Sequence, residues 1–313
     1  MYDIIGDIHG CDQTLEQLLQ KLGYTEQAGS YSHPERSVVF LGDFIDRGPG
    51  QREVISLVRA MIDSGSAQAV MGNHELNALA YHSQHPESGQ YLRNHAKKNF
   101  KQHEAFLKAY EEDEKGLSEA LEWFKTLPLW LDLGEVRFVH ACWDVMSIER
   151  LKSELDDQNR ITGDLLISGT TVGTWQFDAL ETLLKGKEIG LPEGHSFRDK
   201  QNIERHNMRV RWWDSDAVTY REAYFGPESA RTHIPDDEIS GDHVLEYSHQ
   251  LPPVFVGHYW LEGDPGPLAK NIACLDYSVA KPGGKLVAYR WSGESVLSAD
   301  NFTWVERVEA ANE

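Results

Sequence analysis

The sequence predicts a mixed α/β (α+β) protein with a two-sheet core and helices outside it. Three successive units of strand, polar loop and amphipathic helix fill the first part of the chain, and they imply a parallel sheet with right-handed crossovers. The second half contains mainly short apolar runs typical of strands. A βαβ half followed by a β-rich half predicts two packed sheets flanked by helices.

The three units share one layout. Their strands are expected at 2–6, 37–41 and 67–71, and each runs into a polar loop that carries Asp, His or Asn. Leucines at helical spacing predict a first helix that stops at Gly23, and a second apolar face ends near Gly65. The segment Gly72-Asn73-His74-Glu75 is expected as the third loop.

Later segments extend the pattern. A hairpin is expected between 129–133 and 136–139, and strands are expected at 209–214, 253–256, 272–277 and 286–291. With no linker visible, residues 1–313 are predicted to form one domain. Insertions at about 81–128 and 150–208 are expected to cap the site, and the stretch 156–208 is expected to set substrate choice.

The amino-acid composition argues against several classes of protein. The chain has 50 acidic and 30 basic residues, a formal charge of −20, so a nucleic-acid polymer is not an expected partner. Cys11, Cys142 and Cys274 are too few and too scattered for a disulfide framework, which indicates a reducing compartment. No signal peptide or membrane span is visible, so a cytoplasmic protein without a membrane partner is expected. The oligomeric state is left open.

Ligand-type side chains follow the strand ends throughout the chain. They are Asp7, His9, Asp43, Asp46, Asn73, His74, His140 and His258. Oxygen donors mixed with imidazoles suit Mn, Fe or Zn, with Mn as the first expectation. The set exceeds the needs of one ion, so two divalent metal ions that share a carboxylate are predicted.

Arg47 follows the second strand within Gly-Asp-Phe-Ile-Asp-Arg-Gly. Its guanidinium stays charged and can bind two oxygens at once, as phosphate recognition requires. Gly-Asp-Ile-His-Gly, the Arg47 motif and Gly-Asn-His-Glu each follow a strand in this order. Each motif alone is a weak signal: a Gly-Asp turn near a histidine is more often structural, and for the Arg47 motif an ordinary polar turn is as plausible as a functional site. Only their combination predicts a metal site.

The three motifs resemble those of calcineurin-like metallophosphoesterases, in the phosphoprotein-phosphatase branch that also includes bacterial diadenosine tetraphosphatases. The resemblance is dense in residues 1–80 and resumes at His140 and at Gly257-His258. It implies a sandwich of two sheets flanked by helices (α/β/β/α) with a dimetal centre at the sheet edges.

The resemblance also implies a role for each position. Asp7 and His9 would bind the first metal, Asp43 would bridge both, and Asn73, His140 and His258 would complete the second. The catalytic residues would be His74 as general acid, Asp46 as its orienting partner and Arg47 on the phosphate. A dimetal-bound hydroxide would then attack phosphorus in line.

The sequence leaves the phosphorylated substrate open. A phosphoserine or phosphothreonine protein is favoured by Asp-Arg-Gly and by Glu75 after His74. A dinucleoside polyphosphate such as diadenosine tetraphosphate is favoured by Met71, which stands where the protein-phosphatase form has a basic residue. Arg209 and Arg211 are both candidates for a further phosphate contact or for packing on aromatic rings.

Two rival functions are weighed. A catalytically silent, metal-stabilised interaction module predicts the loss of at least one ligand, and none is lost. A nuclease on the same scaffold is opposed by the acidity of the chain and the lack of a basic stripe.

Overall fold

The computed structural model describes residues 1–198, 203–226, 228–239, 244–245 and 247–308. Residues 199–202 of the expected cap and 309–313 of the expected domain lie outside this part. The strands within it are β1 Tyr2–Ile5, β2 Thr25–Gln27, β3 Ser30–Ser32, β4 Ser37–Phe40, β5 Ala67–Ala69, β6 Trp130–Asp132, β7 Arg137–Val139, β8 Glu188–Gly190, β9 Phe197–Arg198, β10 Glu204–Arg205, β11 Asn207–Arg209, β12 Val254–Val256, β13 Ile272–Cys274, β14 Asp276–Tyr277, β15 Lys285–Trp291 and β16 Phe302–Glu306. The helices are α1 Asp12–Leu22, α2 Gln51–Asp63, α3 Asn73–His82, α4 Lys97–Ala109, α5 Glu114–Phe124, α6 Val145–Leu151, α7 Gly163–Ser168, α8 Trp175–Lys185, α9 Tyr220–Ala223, α10 Glu228–Arg231 and a 3-10 helix at Ala299–Asn301.

The first sheet has the strand order β14-β15-β1-β4-β5, and β16 also pairs with β15. Strands β1, β4 and β5 are parallel, as the three repeated units predict, whereas β15 is antiparallel to β1. Ile5 is in register with Phe40, so β1 and β4 end side by side. The loops that follow them therefore lie at one edge of the sheet.

The second sheet has the order β13-β12-β7-β6. Strand β12 is parallel to both β7 and β13, which brings the ends of β7 and β12 together. The predicted hairpin is confirmed, because β6 and β7 are antiparallel and Leu131 faces Phe138. His140 follows β7 directly, and His258 lies two residues beyond the end of β12.

The two sheets pack face to face with helices on their outer sides. Ile4 of β1 lies in a buried cluster with Phe138 and Phe255 of the second sheet. Its neighbour Ile5 belongs instead to the cluster that contains Leu18 of α1, because successive strand residues point to opposite faces. Full burial of one such side chain stabilises the fold by about 2 kcal/mol. The predicted two-sheet core with flanking helices is confirmed.

Helix α3 begins earlier than the sequence predicts. The segment expected as a loop supplies its first turn, with Gly72 at the N-cap. Glu75 Oε2 accepts a hydrogen bond from Gly72 N at 3.0 Å, which satisfies an amide at the helix start. Asn73 and His74 are therefore held by a helix N-terminus rather than by a flexible loop.

Two predicted strands are shorter than expected. The run 272–277 is divided, since β13 joins the second sheet and β14 the first, and Leu275 carries the chain between them. The run 209–214 is extended only as far as Arg209. Beyond it, Val210 forms only an isolated antiparallel bridge with Tyr224. Trp212 is buried and donates a hydrogen bond to Tyr259 Oη at 3.1 Å, so the rest of this segment joins no strand.

The segments expected as caps contain helices of their own. Helices α4 and α5 lie within 81–128, and α7 and α8 lie within 150–208. A small apolar cluster separate from the main core contains Met208, Val210 and Tyr224. Among the helices that the structure describes, none is both long and apolar enough to cross a bilayer.

Candidate metal centre

Backbone hydrogen bonds join the loops that follow β1 and β4. The amides of Ile8 and His9 donate to Asp43 O at 3.1 and 2.9 Å, and Gly10 N donates to Phe44 O at 2.8 Å. These bonds satisfy buried backbone groups that no sheet ladder reaches. They also hold the first and second motifs against each other.

Two glycines permit the close approach of these loops. A Cβ at Gly42 would lie 2.4 Å from Gly72 N, and one at Gly257 would lie 2.0 Å from Asp7 Oδ1. Gly42 also has a φ of +89°, a backbone conformation that is a second reason for glycine at this position. Side chains at either position would push the motifs apart.

Several residues of the site have a left-handed backbone although they are not glycine. Their φ values lie between 49° and 72°. The conformation costs roughly 1–2 kcal/mol per residue. These residues are His9, Asp43, Asp46, Arg47, His258 and Trp260.

The first group of potential ligand atoms comes from His9, Asp43 and His74, which lie within 4.8 Å of one another. His9 Nε2 is 3.7 Å from Asp43 Oδ2 and 4.0 Å from Asp7 Oδ2. His9 Nδ1 donates to Ile45 O at 2.9 Å, so the assigned tautomer leaves the Nε2 lone pair directed at the carboxylates.

The second group comes from Asp43, His140 and His258. His140 Nε2 is 3.4 Å from Asp43 Oδ1, and its Nδ1 donates to Leu41 O at 2.6 Å. The side-chain oxygen of Asn73 lies 3.2 Å from His140 Nε2 and 2.6 Å from His258 Nδ1. Asp43 is therefore the carboxylate common to both groups.

The charges of the site are strongly coupled. Burial raises the pKa of Asp7 well above its usual value, and Asp276 and Asp43 raise it further. Burial lowers the pKa of His140, but Asp43 and Asp7 outweigh this effect and raise the pKa to about 10. Burial lowers the pKa of His258 well below normal. Carboxylates packed this closely favour a cation between them.

The residues present fit divalent metals. His9 Nε2 is buried and has no hydrogen-bond partner among the described residues, as expected for an atom that binds a metal. The donors around it are carboxylate oxygens, an amide oxygen and imidazoles, and the three cysteines are buried and free elsewhere. This donor set suits Mn, Fe or Zn rather than a soft metal.

Of the predicted catalytic side chains, His74 belongs to the first group, and Asp46 and Arg47 lie beside it. Asp46 accepts a hydrogen bond from His74 Nδ1, which directs His74 Nε2 toward Asp43 Oδ2 at 3.8 Å. A guanidinium nitrogen of Arg47 lies 3.3 Å from His74 Nε2, and the Arg47 guanidinium stacks 3.5 Å from the ring centroid of Trp260. By geometry alone His74 could also serve as a metal ligand.

All nine predicted site residues are brought together by these contacts. Arg209, one of two arginines that the sequence left open, lies 3.2 Å from His258 Nε2. Arg211 lies away from this site and pairs with Asp214 at 3.9 Å.

A cavity of about 780 Å³ opens over the centre and is bordered by both expected caps. Arg93 and Lys98 reach it from the first segment, and Phe177 and Lys185 from the second. Its lining combines cationic and aromatic side chains with Asp43, Asn73, His74 and His258.

Sequence reasoning missed three contributors. His103 on α4 donates to Asp46 Oδ1 at 2.8 Å. Trp260 supports Arg47, and Asp276 accepts a hydrogen bond from Trp260 N at 2.7 Å. No motif surrounds His103. The apolar periodicity of α4 only places it near the buried Phe106, so the sequence carried no signal of its partner.

The sequence model of the family described as calcineurin-like phosphoesterase matches residues 2–259, a range that includes all of the candidate ligands. The chain belongs to the calcineurin-like phosphoesterase family. Its resemblance to that family, and the metallophosphoesterase fold expected from it, are thereby confirmed.

Relatives of this phosphoesterase-family protein include two bacterial proteins named asymmetrical bis(5'-nucleosyl)-tetraphosphatase PrpE. The one from Halalkalibacterium halodurans is 51% identical over 74 residues, and the one from Bacillus subtilis is 50% identical over 74 residues. Each match covers 23% of this chain and 30% of the relative. The chain thus spans under a third of these curated relatives.

A solved protein serine/threonine phosphatase from Saccharomyces cerevisiae is similar over 99% of this chain and 81% of its own, with a TM-score of 0.51. The identity is 16%, so this likeness shows the fold alone.

Proposed function

We propose that this protein is a metal-dependent phosphoesterase that hydrolyses phosphate monoesters or phosphoanhydrides. The observation that carries the proposal is the pair of ligand groups that share Asp43 beside a buried, unpartnered His9 Nε2. A shared carboxylate fits two ions about 3.5–4 Å apart, which is the spacing of two-metal hydrolases.

Asp7, His9 and Asp43 would hold one cation, and Asp43, Asn73, His140 and His258 the other. Bound there, the cations would supply Lewis-acid stabilisation of the charge that develops on the phosphoryl oxygens. Mn is the proposed metal, and Fe or Zn would suit the same donors.

The protein's own groups would complete the reaction. Arg47, fixed by its stack on Trp260, would bind two phosphoryl oxygens and orient the phosphate. His74 Nε2 would protonate the leaving oxygen while Asp46 accepts from Nδ1 and fixes the tautomer and orientation of the ring. The expected general acid is thus directed at the same space that Arg47 borders.

Between the two substrate classes, the cavity favours an extended anion such as a dinucleoside polyphosphate over a phosphoprotein. Arg93, Lys98 and Arg209 border it in addition to Arg47, and among the described residues the cationic side chains of its lining outnumber the carboxylates, which supports binding of more than one phosphate group. The name of the bacterial relatives agrees with this choice. A single domain capped by 81–128 and 150–208, located in the cytoplasm, completes the proposal.

The test is a rate comparison on protein freed of metal with a chelator and reloaded with Mn, Fe or Zn. The substrates are an aryl phosphate, a phosphoserine peptide, diadenosine tetraphosphate and a cyclic dinucleotide. We expect no activity without metal, turnover of the aryl phosphate with Mn, and the highest kcat/KM on diadenosine tetraphosphate. Folded protein that hydrolyses none of them with any of the metals would refute the function, and a preference for the peptide would refute the substrate class alone.

A further inference from the structure

We propose that His103 is a positioning residue for His74 and that it acts through Asp46. The proposal rests on the proposed function, in which His74 is the general acid. It assigns a role in the site to helix α4, which belongs to the 81–128 segment and is remote in sequence from the metal-site motifs.

Asp46 is a carboxylate held between two imidazoles. One of its oxygens accepts from His74 Nδ1, and the other accepts from His103 Nδ1 at 2.8 Å. Its backbone amide donates to Gln51 Oε1 at 2.7 Å. Only 2% of Asp46 is exposed, so water contributes little to its hydrogen bonding. Both oxygens therefore depend on histidine donors.

The surroundings of His103 give a second, independent observation. Its ring stacks on Phe106 at 4.8 Å between centroids and also contacts Tyr81. Its Nε2 is buried and has no hydrogen-bond partner among the described residues. An apolar ring would fill this space without the cost of burying an unpaired nitrogen. The histidine is explained by its Nδ1 donor and not by packing.

Two fixed donors prevent rotation of the carboxylate. With His103 in place, the Asp46 oxygen that faces His74 stays in line with Nδ1, and His74 Nε2 stays directed at the site. Without the His103 donor, one buried oxygen of Asp46 loses its partner and the carboxylate turns toward another donor. His74 would then keep its chemistry but lose its orientation, which slows proton delivery.

Two variants separate this role from packing. His103→Phe keeps a ring on Phe106 but removes the donor. His103→Asn can place its side-chain amide where Nδ1 lies, so it restores the donor without the ring. His103→Leu replaces the Phe variant if that protein does not fold. Thermal unfolding checks each variant.

The kinetic measurement compares an aryl phosphate that has a good leaving group with an alkyl phosphate that has a poor one. We expect His103→Phe to lower kcat about tenfold on the alkyl phosphate and less than twofold on the aryl phosphate, with KM unchanged, and His103→Asn to recover most of the loss. His74→Asn gives the reference for complete loss of the general acid. An equal loss on both substrates, no loss, or no recovery in His103→Asn would overturn the proposal.

A measurement independent of turnover is the NMR signal of the His74 Nδ1 proton. We expect it to be protected from exchange in the natural protein and in His103→Asn, and to broaden or shift in His103→Phe. An unchanged signal in His103→Phe would overturn the positioning role. If the natural protein shows no phosphoesterase activity, the proposed function fails. The NMR measurement still tests whether His103 orients His74 through Asp46.

Discussion

Asp43 is the residue with the most partners in the candidate site. Its Oδ1 accepts from His74 N at 2.9 Å and lies 3.4 Å from His140 Nε2, while its Oδ2 lies 3.7 Å from His9 Nε2. Burial raises the pKa of Asp43, but the surrounding histidines outweigh this and lower it well below normal. The carboxylate is thus ionised before any cation arrives.

Asp43→Asn should lower both metal content and kcat/KM, each by about two orders of magnitude, because it removes the shared negative charge. Elemental analysis after dialysis against a defined Mn buffer and aryl phosphate kinetics check this. Asp63→Asn, at an exposed ion pair on α2, is the control and should change neither. Full activity with both metals retained in Asp43→Asn would contradict the shared-ligand assignment.

His82, which is not a candidate metal ligand, makes the stability of the fold depend on pH. Burial, together with His103 and His95, lowers its pKa from 6.5 to about 4, and Tyr81 is the other titratable group against its ring. The unfolded chain binds the proton more readily, so this stability is present above pH 6.5 and is lost as the pH falls through about 4.

His82→Gln should therefore flatten the dependence of the urea midpoint on pH between about pH 7 and about pH 4. Circular dichroism at each pH gives the midpoint. The matched control is His195→Gln at an exposed position, which should leave the slope as it is in the natural protein. If the His82 variant has the same slope, another group causes the acid sensitivity.

At the scale of elements, Glu75 joins two strand-end segments. Its Oε1 accepts from Phe44 N at 2.8 Å, and its Oε2 accepts from Asp43 N at 2.9 Å and Gly72 N at 3.0 Å. The start of α3 is thus attached to the segment after β4. The backbone that presents the metal ligands depends on one buried carboxylate.

Glu75→Gln should reduce the free energy of unfolding by about 2 kcal/mol, because its amide nitrogen would face a backbone N–H that needs an acceptor. Urea titration with an unchanged slope measures the loss. Glu53→Gln in the exposed first turn of α2 is the control. A loss no greater than in that control would show that the carboxylate is not the link.

The same elements show what sequence can predict. The strand of each early unit and the stop of α1 at Gly23 follow from local periodicity and glycine placement, and both are observed. The start of α3 was missed although Glu75 lies three residues after Gly72, the spacing of a capping box. The further contact of Glu75 with Phe44 N joins distant parts of the chain and has no local signal. The division of 272–277 was missed because no glycine or proline interrupts the run, and the pairing partners alone decide which sheet each half joins.

The candidate site divides in the same way. Residues inside motifs, such as Asp7 and His140, could be predicted because each directly follows a strand. His103 and Trp260 could not be predicted. Their roles depend on contacts with Asp46 and Arg47, respectively, and these contacts form only when the chain folds. A histidine on an apolar helix face is by itself most simply a core residue.

At the scale of the whole molecule, charge is unevenly distributed. The chain has a net charge of −20, yet the described residues that line one cavity include six cationic side chains, among them Arg47, Arg93, Lys98 and Arg209, against four carboxylates. A local positive potential of this kind concentrates anionic substrate against the overall repulsion. Substrate selection should therefore depend on the caps more than on the metal ligands.

Lys98→Gln should raise KM for diadenosine tetraphosphate about fivefold, equivalent to roughly 1 kcal/mol for an exposed charge contact, and leave aryl phosphate kinetics unchanged. Lys101→Gln is the matched control, because it lies on the same helix but does not border the cavity. Steady-state kinetics on both substrates give the comparison. Equal KM values in the two variants would contradict a role for α4 in substrate binding.

The left-handed residues around the centre have a consequence for evolution and engineering. Glycine at Asp46, Arg47 or Trp260 would relieve backbone cost of roughly 1 kcal/mol at each position, while removing a group proposed to support the reaction. A screen that rewards heat resistance alone would thus select against the site. Only joint selection for turnover would keep these side chains, so libraries built on this scaffold need an activity readout from the first round.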